Sequence, residues 1–210
     1  MGDIQGQADL FIKSYWNYYM ELEAQLVETK RYVEFDAQNG KTFSIEYLKL
    51  YQAVCSEIDV VGKEIVACLC PDFKANSKAN IQKWGYEMQQ LFPRIKDNIV
   101  CFYKAIEIQP FRNWEYEKYL DKRGQERFRI VKKKKAIPWW GNYNKVKHQR
   151  IGLVTGIENF KLANQKNLVT ALSALYLMEY TYLQYLEEHG ASFHDHNPSR
   201  IFQLKQTIFL

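Results

Sequence analysis

The densest polar chemistry in the chain lies in one run, Trp139-Trp140-Gly141-Asn142-Tyr143-Asn144-Lys145-Val146-Lys147-His148-Gln149-Arg150. On a helix, Trp140, Asn144 and His148 stand at i, i+4 and i+8 on one face, while Tyr143, Lys147 and Arg150 follow at i, i+4 and i+7 on a neighbouring face. An amide, an imidazole and several cations therefore converge. A neutral His148 can take a proton from a ribose 2′-hydroxyl, and Lys147 or Arg150 can stabilise the charge that grows on a phosphorane. Such chemistry requires no metal and no cofactor. The same residue types also suit a plainer role, with Trp139 and Trp140 packed into a bundle and Asn144 and His148 bonded to backbone carbonyls.

The charge distribution favours a polyanion as partner. The net charge of +5 conceals an asymmetry: residues 122–150 hold eleven Lys/Arg and one acid, Glu126, and so carry +10, while the rest of the chain is at −5. The densest part is Lys132-Lys133-Lys134-Lys135, preceded by Arg123, Arg127 and Arg129 and followed by Lys145, Lys147 and Arg150. A concentration of this kind suits phosphate. Phe128, Trp139, Trp140 and Tyr143 lie among the charges, and nucleic-acid bases can stack on such rings. The alternative is a solvated basic loop.

The elements that must position these residues are mainly helical. From Ala8 to about Phe35, apolar residues recur at helical spacing (Phe11, Tyr15, Tyr18, Leu22, Leu26, Val33) with no Gly or Pro between them. After the turn at Asp36 to Lys41, Ser44 is placed to cap a second helix with Glu46 in its first turn. The stripe of that helix is Leu48, Tyr51, Cys55, Ile58, Val61, Ile65 and Cys68, and the two helices are expected to form an antiparallel hairpin. A shorter helix is expected from about Ser77 to Phe92, closed by Pro93. Ile99 to Tyr103 is β-prone, and Ile106 to Gln109 alternates as a half-buried strand does; Arg127 to Ile130 is a second alternating run expected to pair with it. Pro138 suits the first helical position of Trp139 to Arg150. A last helix carries Leu168, Leu172, Leu175, Met178, Tyr182 and Leu186, apolar nearly all round, as a central helix or one buried against another subunit would be.

Other motifs point less strongly to function. His189, His194 and His196 with Asp195 could ligate a divalent metal but sit in a stretch rich in turn residues, so a solvated turn is favoured and no metal site is expected. Cys68-Leu69-Cys70 lacks zinc spacing, and the four cysteines read as reduced and mostly buried. The tyrosines at helical spacing read as core with wet edges. No phosphate-binding Gly-rich loop, His-Glu-x-x-His or Gly-x-Ser-x-Gly occurs. The longest apolar run, around Leu172 to Leu186, is interrupted by Glu179 and Gln184, and no basic, apolar leader opens the chain; a cytoplasmic protein making no membrane contact is expected.

A helical bundle with Asn144-x-x-x-His148 on a late helix, followed by a strongly apolar helix, resembles the HEPN superfamily (higher eukaryotes and prokaryotes nucleotide-binding) over roughly residues 137–188. The family signature is an Arg followed by four to six residues and a His, often with a polar residue directly after the Arg. With the family His on His148 the polar position falls on Asn144, while the Arg spacings fall on Tyr143, Asn142 and Gly141. Arg150 stands on the other side of the histidine as the substitute cation. The resemblance implies a homodimer whose motifs meet in a shared cleft, and metal-independent RNA cleavage in toxin–antitoxin or phage-defence systems. It also admits non-catalytic members that bind nucleic acid or protein.

These readings combine into one expectation. The chain is a mainly α, HEPN-like helical bundle over residues 1–189, with a small β excursion in its middle and a polar C-terminal tail over 190–210. His148, Asn144 and Arg150 are the catalytic candidates for RNA cleavage. Lys132, Lys133, Lys134, Lys135, Lys145, Lys147, Tyr143 and Trp140 are the candidates for holding RNA or another polyanion. The rival reading is a helical interaction module without catalysis, in which Trp139 and Trp140 anchor a protein partner.

Overall fold

The computed structural model describes residues 3–76, 78–132, 137–154, 156–192 and 198–205. The fold is mainly α, as expected. The chain opens with a continuous helical rod: α1 (Ile4–Phe11), a π-helical segment (Ile12–Trp16) and α2 (Asn17–Glu28), followed by α3 (Ile45–Leu69), α4 (Ile81–Leu91), α5 (Pro138–His148) and α6 (Gln165–Glu188). Short polar side chains set most of the starts. Asp3 Oδ1 accepts from Gln5 N, Ser44 Oγ from Tyr47 N at 3.0 Å, Asn80 Oδ1 from Gln82 N and Lys83 N, and Asn164 Oδ1 from Asn167 N, so each cap satisfies donors the helix leaves unpaired. For α5 the same end is served by Pro138, which has no N–H to satisfy.

The core lies between α3 and α6, which run parallel. Tyr47 near the start of α3 meets Gln165 at the start of α6 (3.3 Å), and Cys68 at its end meets Tyr182. The opening rod runs antiparallel to both: Phe11 packs on Tyr182 with ring centroids 4.7 Å apart, and Trp16 on Tyr176 at 6.2 Å. The expected α-hairpin is therefore present, but its first helix spans Ile4 to Glu28 rather than Ala8 to Phe35, because a 3₁₀ turn (Thr29–Arg31) ends it. On the other side of α3, Gly62 lets the Trp84 indole of α4 lie directly on the helix; a Cβ there would stand 2.7 Å from the ring. The expected stripe of α3 is buried from Tyr51 to Ile65, whereas Leu48 is half-buried and Cys68 is exposed.

The β excursion exists with different pairing. β1 (Val100–Phe102) pairs with β2 (Ile106–Ile108), and β3 (Tyr116–Leu120) pairs with β4 (Glu126–Ile130) in a separate hairpin, so Arg127 to Ile130 does not pair with the first strand run. A minimal hairpin, β5 (Leu153–Val154) and β6 (Ile157–Glu158), fills the glycine-containing joint before α6. The remaining strand, β7 (Phe202–Leu204), adds to β1 to complete a β2-β1-β7 sheet. The segment read as a polar tail is thus partly built into the fold. Ile201 and Phe202 are buried, and the Arg200 N–H and the Ser199 hydroxyl both donate to the buried carboxylate of Glu23. No helix among the described residues is long and apolar enough to cross a membrane.

Candidate nucleic-acid interface

Helix α5 is fixed by its apolar face. Trp139, Tyr143 and Val146, at i, i+4 and i+7, are buried. The Trp139 indole N–H donates to the Pro110 carbonyl at 2.9 Å, and the Tyr51 hydroxyl of α3 donates to the Trp139 carbonyl. Trp139 is therefore a core residue, which removes it as a partner anchor. Trp140 is half-buried and lies against the Tyr143 ring at 5.2 Å, so only part of its surface is open to a partner. Burial pushes the Tyr143 hydroxyl up to about 12, with Cys55 and Asp59 adding to the shift; it packs against Tyr51 and is not offered to solvent as a stacking platform.

The other side of α5 carries the polar candidates. Asn144 is half-buried, and Lys145, Lys147 and His148 are exposed in the last turn. Lys147 Nζ lies 5.6 Å from the Tyr143 ring centroid. The helix dipole favours cations at this end, which accounts for part of their placement without a ligand. Asn144 and His148 share a face as the spacing requires, yet among the described residues no hydrogen bond joins them and none orients the His148 ring.

Arg150 departs from the expected geometry. The helix stops at His148, Gln149 turns away from helical backbone, and Arg150 lies in the following turn instead of on the Tyr143–Lys147 face. Its carbonyl accepts from Phe160 N at 3.1 Å, and its guanidinium Nη2 lies 3.5 Å from Gln52 Oε1 of α3. The turn is locked by the Asn159 amide, which donates to the Gln149 carbonyl at 2.6 Å, and by Gly152, where a Cβ would come within 2.7 Å of that amide nitrogen. Gln52 and Asn159 are the residues that sequence reasoning missed. Gln52 reaches the site from a distant part of the chain and Asn159 from ten residues on, across the β5–β6 hairpin, and no helical spacing announces either.

The remaining basic residues differ in their partners, and Lys122 and Arg123 in the β3–β4 turn are exposed with no carboxylate partner among the described residues. In the β3–β4 hairpin Arg127 pairs with Asp121 (3.1 Å), Arg129 with Glu117 (2.7 Å) and Lys118 with Glu126 (2.9 Å), and the Arg129 guanidinium also covers the Tyr119 ring. Phe128 packs on Tyr86 instead of facing outward. By contrast, Lys145, Lys147, His148 and Arg150 have no carboxylate partner among the described residues. Lys132 is exposed, while Lys133, Lys134 and Lys135 lie outside the described residues. So do His194, Asp195 and His196. His189 stacks on Tyr185 at 4.0 Å and its Nδ1 meets the Tyr185 carbonyl, and among the described residues no group of three or more His, Cys, Asp or Glu side chains could hold a metal.

No protein-family profile, curated protein or solved structure matches the chain.

Proposed function

We propose that the protein is a HEPN-like, RNA-directed helical module that holds a phosphate backbone along the exposed end of α5. One observation carries this reading: Lys145, Lys147, His148 and Arg150 are exposed together without carboxylate partners among the described residues, while Arg127 and Arg129 of the neighbouring hairpin are paired with acids. Lys145, Lys147 and Arg150 are free cations at one end of the helix, which is what phosphate oxygens need. His148 is the proton-transfer group. It removes the 2′-hydroxyl proton, the oxygen attacks the adjacent phosphorus, and the 5′-oxygen leaves with a proton, giving a cyclic phosphate and a 5′-hydroxyl end. Lys147 and Arg150 stabilise the extra charge on phosphorus. Among the described residues none orients the His148 ring, and in this reading the second copy of a homodimer would supply that contact.

The test is cleavage and retention of a mixed, labelled RNA pool at low salt, comparing wild type with His148→Ala and Arg150→Ala. Cleavage by wild type and its loss in both variants, with the helical circular dichroism intact, is the expected result. Undiminished cleavage by His148→Ala overturns the catalytic role. An absence of RNA retention overturns the nucleic-acid reading altogether.

A second reading, a non-catalytic module for a protein partner, is favoured by a different feature beside the same edge. Ile151 (91% exposed), Leu153 (68%) and Ile157 (48%) stand out on and beside the β5–β6 hairpin, an apolar knuckle that protein contacts commonly use. Loss of partner capture on Ile151→Ser, with RNA retention unchanged, would favour it.

A further inference from the structure

A cavity of about 570 Å³, with no residue of α5 in its lining, lies between the loop that precedes α3, the β1–β2 hairpin and the first turns of α6. Its size falls in the range of small-molecule sites. Phe35, Phe102, Ile106 and Val169 contribute apolar walls, with the Phe35 and Phe102 rings edge to face at 5.1 Å. Two cations, Arg112 and Lys166, also line it, and neither has a carboxylate partner among the described residues.

Of the two acids in the same lining, only Glu107 is paired with a cation among the described residues. Asp36 Oδ1 accepts from Gln38 N, and the Glu107 carboxylate pairs with Lys205. The two amides have likewise committed their nitrogens, Gln109 Nε2 to the Lys96 carbonyl and Gln165 Nε2 to the Glu34 carbonyl. With Glu107 offset by Lys205, Arg112 and Lys166 outnumber Asp36, so the charge balance at the cavity is positive, while the Gln109 and Gln165 amide oxygens remain as acceptors. Lys166 adds a further sign: it sits in the first turn of α6, where the helix dipole is positive and no acidic residue compensates. The dipole slightly disfavours an exposed cation at that end, and a bound anion would offset this.

We infer that this cavity binds a small amphipathic anion, a compact hydrocarbon body carrying one carboxylate, with the hydrocarbon against Phe35, Phe102, Ile106 and Val169 and the carboxylate between Arg112 and Lys166. The arginine fork suits the two carboxylate oxygens, and the lysine acts as a point charge beside it. This site does not depend on the RNA-directed reading of α5, and the two stand or fall separately.

Calorimetric titration of the full chain with octanoate, octylamine and 1-octanol tests the inference. Octanoate is expected to bind at one site per chain, at least about tenfold tighter than either comparator, a difference worth about 1.4 kcal/mol. In the Arg112→Gln/Lys166→Gln variant, both changes being at exposed side chains, octanoate affinity should fall at least about tenfold while 1-octanol is unaffected. Ile106→Glu, at the exposed part of the wall, should abolish octanoate binding. Octanoate binding no tighter than 1-octanol, an unchanged affinity in the double variant, or no binding at all would overturn the proposal.

Discussion

The Tyr51 hydroxyl of α3 donates to the backbone carbonyl of Trp139 in the first turn of α5, so the helix that carries the polar candidates is tied to the central helix of the bundle by a buried hydrogen bond. Burial drives the Tyr51 hydroxyl far above its ordinary range, which favours the protonated, donating form. Tyr51→Phe keeps the ring contact with Tyr143 and removes only this bond. The variant should lose about 1 kcal/mol, read as a lower urea midpoint with an unchanged slope. An unchanged midpoint would mean that the ring packing alone holds α5.

Local signals reached as far as local physics reaches. Ser44 and Pro138 mark true helix starts because a cap and an N1 proline act within one turn. The alternation at Ile106 to Ile108 and Arg127 to Ile130 marks true strands, but their partners were not legible: β7 is three residues in a stretch that reads as polar, and its pairing with β1 depends on Glu23 fastening the segment before it. In the candidate site the exposed face of α5 was legible from spacing. The position of Arg150 was not, because the turn after the helix is held by the Asn159 amide, ten residues on and outside the helical repeat. Glu179, read as an interruption of an apolar run, is fully buried.

That burial makes stability depend on pH. Glu179 of α6 is 0% exposed, and neither carboxyl oxygen has a hydrogen-bond partner among the described residues. Desolvation, with a contribution from Glu57 of α3, raises its carboxyl well above the usual range. The folded chain then keeps a proton that the unfolded chain releases. Stability is complete below the unfolded carboxyl's value of about 4.3 and falls as the pH rises toward the folded value, by up to about 1.4 kcal/mol per pH unit. Glu179→Gln should flatten this dependence and raise the melting temperature at neutral pH. A variant that melts with the same pH profile as wild type would show that the acid is not the source of the slope.

Two glycines of the helices should respond oppositely to alanine. At Gly62 the added Cβ meets the Trp84 ring, which cannot slide because its indole N–H is held by Asp59 Oδ1 at 2.9 Å. The overpacking cost of about 1–3 kcal/mol exceeds the gain in helix propensity of about 1 kcal/mol, so Gly62→Ala should destabilise and alter Trp84 fluorescence. At Gly141 in α5 the Cβ meets nothing within 4 Å, and Gly141→Ala should stabilise by about 0.5–1 kcal/mol. Thermal unfolding of both variants checks the pair; stabilisation by Gly62→Ala would mean that α3 and α4 can move apart without loss.

The division of the basic residues into paired and unpaired groups gives the RNA-directed reading a quantitative consequence. Each single-stranded phosphate contact contributes about 0.7 to the slope of log affinity against log salt. Neutralising Lys145 and Lys147 together should therefore lower that slope by roughly 1.4, since both are exposed and without acidic partners among the described residues. Arg127→Gln with Arg129→Gln should leave the slope nearly unchanged, because Asp121 and Glu117 already occupy those guanidinium groups. RNA retention measured across a salt series in both double variants separates the cases. A larger effect from the hairpin pair would move the interface from the end of α5 to β3 and β4, and it would remove His148 from the neighbourhood of the bound phosphates.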